Sequence, residues 1–252
     1  MHEHRTPAGT TFATLEPLPE RPAKPKPTLL LLAMAAAETL GQTPYNRIGQ
    51  RVAAAGWLVV GLDLPAHGAD AQPGEPTGLA GWRARFDRGE DFVADLQWHA
   101  ADVLVHLVGA GHSDRARLAT AGTSRGGFMA TQVAAAVPEV RAVVAFAPVA
   151  DLAALSEFAG VADPARLAAL ALARQAAALA NRALWVTIGS ADQRVDTDRT
   201  ITFTRAVTAA SVLRGLPLGV TLQVLPVPGH ASAVAWHEQA ADWLLATVSP
   251  SG

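Results

Sequence analysis

Short apolar runs alternate with longer segments of helical spacing along most of the chain. The runs lie at residues 28–33, 57–62, 118–121, 142–147, 184–188 and 220–225. Each is short enough to be a strand buried on both faces, and the segments between them predict helices. Strands separated by helices form mostly parallel sheets with helices on both faces. The pattern therefore predicts an α/β fold with one central, mostly parallel sheet.

Two stretches between the predicted strands differ from the rest. Residues 63–81 are rich in Gly, Pro and Asp and predict a loop, which leads into a long amphipathic helix over 88–108. An Ala-rich stretch follows Asp163 and Pro164, which predict an N-cap and a first helical residue, and the helix is expected to run to about Arg182. This helix either packs closely on the sheet or forms a small cap over a substrate pocket.

The predicted elements form a single domain. We expect this α/β domain to occupy residues 28–252, with a short insertion at about 152–182. Residues 1–27 form an N-terminal segment that could supply edge strands.

Composition excludes several function classes. The 252 residues contain no cysteine, which excludes disulfides, iron–sulfur clusters, thiolate zinc sites and cysteine nucleophiles. A formal net charge of −2 argues against nucleic-acid binding. The longest apolar stretch ends at Glu38, too early for a membrane span, and no signal peptide is recognised. We therefore expect a cytoplasmic protein without membrane or nucleic-acid partners, although a secreted protein whose signal has been removed would look the same.

The pentapeptide Gly-Thr-Ser-Arg-Gly at residues 122–126 lies between a predicted strand and a predicted helix. In that context a G-x-S-x-G sequence places its serine on a sharp turn, where the glycines allow the backbone to bend. The following helix directs its N-terminal N–H groups towards the same point, where negative charge would develop. Ser124 is therefore a candidate nucleophile.

A carboxylate and an imidazole follow this serine in the order that such a site requires. Asp192 lies in a loop after the predicted strand 184–188, and His230 lies in a loop after the predicted strand 220–225. Open α/β sheets form their ligand crevices at the carboxyl ends of strands, so we expect the three side chains to meet there. Asp151, after the strand 142–147, is an alternative acid.

The chain resembles the α/β-hydrolase superfamily, in particular its small serine esterases and its dienelactone-hydrolase and prolyl-oligopeptidase-like branches. The resemblance rests on GTSRGG at 122–127, GSADQRV at 189–195, PGH at 228–230 and DLPAHG at 63–68, and it covers residues 28–247. It implies the α/β-hydrolase fold with at most a small cap.

The resemblance also implies roles for the candidate residues. Ser124 would be the nucleophile, His230 the general base and Asp192 the group that orients the imidazole. The backbone N–H of Arg125 would be one oxyanion donor. A second donor would come from Met34 or Ala35, although many relatives have His-Gly where this chain has an alanine-rich loop.

Other polar residues are expected to have structural roles. Asp196 and Asp198 are interpreted as solvated or helix-capping residues, and His67 as a histidine that braces its loop. His99 and His106 are not expected to bind metal, and neither a metal nor a nucleotide or organic cofactor is predicted. Among the tryptophans, Trp82 is expected to be the one that meets substrate.

These observations predict a serine esterase that acts on a small-molecule carboxylic ester through an acyl-enzyme, as a monomer or homodimer. Two alternatives remain open. A small peptidase or amidase would use the same three residues, with Glu38 or Arg125 binding a substrate amine or carbonyl. A binding protein without catalytic activity would also fit if the alanine-rich loop failed to complete an oxyanion hole.

Overall fold

The computed structural model describes residues 1–248 and contains an eight-stranded sheet at its centre. The strands are β1 (His2–Arg5), β2 (Thr11–Thr14), β3 (Lys26–Leu32), β4 (Leu58–Gly61), β5 (Ser113–Thr123), β6 (Val140–Phe146), β7 (Ala183–Ala191) and β8 (Val220–Pro228). Their order across the sheet is β1-β2-β4-β3-β5-β6-β7-β8. β2 pairs antiparallel with both β1 and β4 at one edge, and the other five pairings are parallel, so the predicted fold class is confirmed.

Helices cover both faces of the sheet. They are α1 (Ala36–Gly41), α2 (Arg47–Ala54), α3 (Gly78–Asp87), α4 (Phe92–Gly109), α5 (Arg125–Ala136), α6 (Pro164–Ala169), α7 (Ala176–Leu179), α8 (Thr197–Leu213) and α9 (Val234–Thr247). Alternate residues of β3 point to opposite faces. Leu30 and Leu32 join the core beneath α3, α4, α5 and α8, and Leu29 and Leu31 join the core beneath α1, α2 and α9.

The stretch predicted as a loop at 63–81 ends in a helix. α3 begins at Gly78 and places Trp82 in the core, fully buried against Phe92 and Phe128. The indole N–H of Trp82 donates to the Pro65 carbonyl at 2.6 Å. The expectation that Trp82 meets substrate is therefore wrong.

The helix predicted over 88–108 begins later, at Phe92. Asp91 is its N-cap, because the Asp91 carboxylate accepts a hydrogen bond of 3.0 Å from the Ala94 N–H. Arg88 instead follows the last residue of α3.

The Ala-rich stretch is broken into three short helical pieces instead of one helix. Asp163 caps α6 by accepting from the Arg166 N–H, with Pro164 as first residue, as the sequence indicated. The helix stops because tertiary contacts occupy its backbone groups. The Leu170 carbonyl accepts from the Gln132 side chain at 2.7 Å, and the Leu172 N–H donates to the Ala150 carbonyl at 2.9 Å.

The predicted division of the chain into a segment 1–27 and a domain 28–252 stays a prediction. Two strands, β1 and β2, do form within the N-terminal segment, and β2 pairs with β4. The last four residues of the proposed domain, 249–252, lie outside the described residues.

Candidate active site

Ser124 lies on a sharp turn between β5 and α5. Its φ of 56° is in the left-handed region, which strains a residue other than glycine. The two flanking glycines make this turn possible. A Cβ on Gly122 would lie 2.2 Å from the Gly126 carbonyl oxygen, and a Cβ on Gly126 would lie 2.0 Å from the Leu32 carbonyl oxygen. The Ser124 N–H donates to the Phe146 carbonyl at 2.8 Å, which ties the turn to β6.

His230 follows β8 and reaches across to this serine. Its Nε2 lies 2.9 Å from the Ser124 Oγ, within hydrogen-bond distance. The side chain of His230 is partly exposed, with 29% of its surface accessible, so the imidazole borders open space on one side.

Asp192 directly follows β7, and its side chain is completely buried. Its Oδ2 lies 2.8 Å from the His230 Nδ1, and its Oδ1 accepts from the backbone N–H groups of Arg194 and Val195 at 3.0 and 3.2 Å. An ionised carboxylate only accepts hydrogen bonds, so this contact requires a proton on Nδ1 and leaves Nε2 to accept from the serine hydroxyl.

The structure thus brings the three predicted side chains into one hydrogen-bonded chain. The alternative acid, Asp151, is engaged elsewhere: its carboxylate caps a short 3-10 turn at the Ala153 N–H and pairs with Arg199. Asp196 caps α8 through the N–H groups of Asp198 and Arg199, which agrees with a capping role.

The candidate oxyanion donors differ in availability. Arg125 is the first residue of α5, so its backbone N–H has no acceptor within the helix. The Met34 N–H donates to the Thr39 Oγ1 at 3.0 Å, and the Ala35 N–H donates to the Glu38 Oε2 at 3.3 Å. Both predicted second donors are therefore already bonded to side chains of α1.

The loop after β4 is held by its own polar groups. The Asp63 carboxylate accepts from the N–H groups of Ala36 and Ala69, which joins this loop to α1. His67 is buried, and its Nδ1 donates to the Pro65 carbonyl at 2.9 Å. Burial lowers the pKa of His67, partly offset by that bond. These contacts agree with a bracing role.

A cleft surrounds Ser124 and His230, which we call the Ser124 cleft. One part has a volume of about 450 Å³ and includes Pro44, Tyr45 and Ser232 in its walls. The adjoining part, about 550 Å³, is bordered by Glu38, His67, Gly78 and Glu157. The residues common to both are Met34, Leu79, Arg125 and Arg194.

Several lining residues were not identified as such from the sequence. Tyr45 and Leu79 come from segments whose local pattern indicates no chemistry, and Glu157 from the insertion. Of these residues, Arg194 could have been linked to the site from the sequence, because it lies within the GSADQRV loop that also carries Asp192. Of the predicted insertion, Glu157 is the residue that borders the Ser124 cleft, while its leucines pack into the core.

The His99 and His106 side chains do not form a pair. His99 hydrogen-bonds the Thr10 hydroxyl at 3.1 Å, and His106 contacts the Phe12 ring edge. Within residues 1–248, no cluster of three or more His, Asp or Glu side chains is arranged to hold a metal ion. Nor does any helix in that part of the chain have the length and apolar character to cross a bilayer.

Comparison with solved structures identifies the fold. A Thermus thermophilus protein aligns with a TM-score of 0.70 at 21% identity, covering 99% of this chain and 98% of that one. An esterase from Pyrococcus furiosus aligns with a TM-score of 0.66 at 15% identity, covering 98% and 92%. Dipeptidyl peptidase 4 from Porphyromonas gingivalis aligns with a TM-score of 0.67 at 17% identity. The alignment covers 98% of this chain but only 35% of that protein. No curated protein matches the sequence.

A family model described as serine aminopeptidase, S33, matches residues 36–182, which is more than half of the chain. The matched region contains Ser124 and ends before Asp192 and His230. Together with the shared fold, this match shows that the chain belongs to the serine aminopeptidase S33 family of hydrolases, within the α/β-hydrolase superfamily.

Proposed function

We propose that this hydrolase cleaves carboxylic esters through an acyl-enzyme formed on Ser124. The observation that carries the proposal is the continuous hydrogen-bonded chain from the Ser124 hydroxyl through His230 to the buried Asp192 carboxylate. A serine hydroxyl is a weak nucleophile unless a base removes its proton, and an imidazole oriented by a carboxylate is such a base.

In the proposed mechanism, the Ser124 Oγ attacks the ester carbonyl carbon while His230 Nε2 accepts the hydroxyl proton. Asp192 stabilises the imidazolium without taking its proton. The tetrahedral oxyanion accepts a hydrogen bond from the Arg125 backbone N–H. Nε2 then protonates the departing alcohol, and the same residue activates the water that releases the acid.

The loop after β3 favours esters over amides. The Met34 and Ala35 N–H groups are bonded to Thr39 and Glu38, so a second oxyanion donor requires the breaking of one of these bonds. A single oxyanion donor is worth about 10²–10³ in rate. Esters are intrinsically easier to cleave than amides and need less stabilisation of the oxyanion. A site with one readily available donor should therefore hydrolyse esters faster than amides. The esterase from Pyrococcus furiosus provides a precedent for this fold.

An aminopeptidase is the second candidate. The family description and the Glu38 carboxylate at the Ser124 cleft favour it, because a carboxylate can bind a substrate ammonium group. The peptidase from Porphyromonas gingivalis is about three times longer than the region that aligns with this chain.

The decisive experiment compares p-nitrophenyl esters of increasing acyl length with aminoacyl p-nitroanilides, on the wild type and Ser124→Ala. We expect ester hydrolysis and fluorophosphonate labelling of the wild type, with both absent from the variant. Faster anilide than ester cleavage would instead support the aminopeptidase. Absence of labelling and of turnover in the wild type would contradict both and favour a binding protein.

A further inference from the structure

The guanidinium of Arg125 lies in the Ser124 cleft without a carboxylate partner. Its side chain borders both parts of the cleft, and in the part of the chain that the structure describes its hydrogen bond is from Nε to the Ala33 carbonyl at 3.4 Å. Within residues 1–248, no Asp or Glu oxygen lies within 4.0 Å of it. The outer N–H groups of this side chain are therefore available to a ligand.

Arg194, which borders the same cleft, and Arg85, which lies outside it, are each paired with a carboxylate. Arg194 makes two bonds to the Glu157 carboxylate, at 2.9 and 2.5 Å, and Arg85 makes two bonds of 2.8 Å to Glu75. Arg125 is half-buried and, within residues 1–248, has no such partner, although it borders the cleft. Burial lowers its pKa, yet an arginine stays charged at neutral pH. A partly desolvated charge without a carboxylate partner is better compensated when an anionic ligand binds beside it.

The backbone beside Arg125 is shaped to admit the guanidinium. Gly78 has a φ of 68°, and a Cβ at this position would lie 2.8 Å from the Arg125 Nη1. Glycine thus provides both the turn and the space for the side chain. With Gly78 on one side and the Ala33 carbonyl near Nε, the guanidinium has a defined place next to the nucleophile.

We propose that the Arg125 guanidinium binds a carboxylate on the substrate, so that this site acts on esters bearing one anionic group near the scissile bond. This inference rests on the proposed function and names its substrate class. The planar fork of arginine matches a carboxylate, which it can bind through two parallel hydrogen bonds.

The neighbouring carboxylates limit the charge that the site accepts. Glu157 pairs with Arg194, whereas Glu38 borders the same part of the cleft and has no cationic partner within 4.0 Å among residues 1–248. A monoanionic carboxylate therefore suits the site better than a dianionic phosphate.

The test compares mono-p-nitrophenyl adipate with p-nitrophenyl hexanoate, which differ mainly in a terminal carboxylate. The wild type should favour the adipate in kcat/KM by about tenfold or more. Arg125→Gln should reduce this ratio to about one, and Arg125→Lys should retain part of it. Glu38→Gln is the matched control, because it removes a negative charge that would repel the adipate carboxylate. This variant should raise the ratio of kcat/KM for adipate to that for hexanoate. An unchanged ratio in Arg125→Gln, or a wild-type preference for hexanoate, would overturn the proposal.

Two further measurements separate this proposal from the proposed function. The p-nitrophenyl ester of 6-aminohexanoate carries a cation instead, and a preference for it would assign the subsite to Glu38. Calorimetric binding of monomethyl adipate to Ser124→Ala needs no turnover. The double variant Ser124→Ala/Arg125→Gln should bind monomethyl adipate at least about tenfold more weakly than Ser124→Ala, and this result would support the subsite even if no ester were hydrolysed. Equal affinities of the two variants would contradict it.

Discussion

The imidazole Nε2 of His237 lies 2.8 Å from the Oγ of Ser232. His237 is fully buried on α9, and its ring stacks on Phe146 with 3.9 Å between ring centroids. Its Nδ1 has no hydrogen-bond partner among the described residues. A buried N–H without a partner is less tolerable than a buried lone pair, so the proton belongs on Nε2. A neutral histidine thus connects α9 to the loop that carries His230.

Acid should weaken the fold through this histidine. Burial lowers the pKa of His237 from 6.5 to about 4, so between these values the unfolded chain binds a proton that the folded chain excludes. Its contribution to stability is complete above pH 6.5 and is lost as the pH falls towards 4. The free energy of unfolding should fall by about 3 kcal/mol over this window.

Urea unfolding at neutral and acidic pH measures this effect. His237→Gln cannot titrate but can still donate to Ser232, so its stability should depend less on pH than that of the wild type. Parallel pH dependences in the two proteins would show that His237 does not control acid sensitivity.

Asp192→Asn should reduce kcat by about 10⁴-fold without unfolding the protein, because an amide no longer selects the histidine tautomer that serine activation needs. Asp151→Asn is the matched control, since Asp151 bonds to Ala153 and Arg199 instead of His230. Ester hydrolysis by both variants, with circular dichroism as a check of folding, measures the difference. A comparable loss in Asp151→Asn would reassign the acid.

Gly126→Ala should destabilise the fold by about 3 kcal/mol or more, because its Cβ would lie 2.0 Å from the Leu32 carbonyl oxygen and force β3 and α5 apart. Gly109→Ala provides a comparison at the end of α4, where an added Cβ has nothing within 4 Å. Alanine favours helices, so this variant should be neutral or slightly more stable. Thermal unfolding that ranks the two variants equally would contradict the close approach at Gly126.

Glu75→Gln should cost about 3 kcal/mol, because it removes the main partner of a buried arginine. The Glu75 side chain is 2% exposed, and hydrogen bonds from Arg85 are the largest cause that lowers its pKa to about 2. The pair stabilises the fold fully above pH 4.5 and progressively less as the pH falls towards 2. Asp87→Asn, which breaks an exposed pair with Arg83, should cost less than about 1 kcal/mol in the same urea titration.

The site was more predictable than its surroundings because its residues are marked by short local patterns. Gly122 is required by a backbone contact within the turn, Gly126 lies in the same pentapeptide, and the order of serine, acid and histidine follows the ends of β5, β7 and β8. The burial of Trp82 depends on Phe92 and Phe128, which approach it from other helices. Nothing in the Gly- and Pro-rich sequence before Trp82 indicates those partners.

The break in the Ala-rich stretch has the same kind of cause. Its composition favours one long helix, and no residue between Ala165 and Arg182 would end it by propensity. Gln132 and Ala150 end it by occupying backbone groups at Leu170 and Leu172. Likewise, the bonds from Met34 and Ala35 to the side chains of α1 could not be foreseen without the path of that loop.

Ser124 and His230 are separated by 106 positions along the chain and meet only where β5 and β8 belong to the same sheet. During synthesis, the serine leaves the ribosome long before the histidine that would activate it. A nascent chain would therefore carry an unreactive serine until β8 has docked beside β7. The onset of hydrolysis during translation would mark that docking.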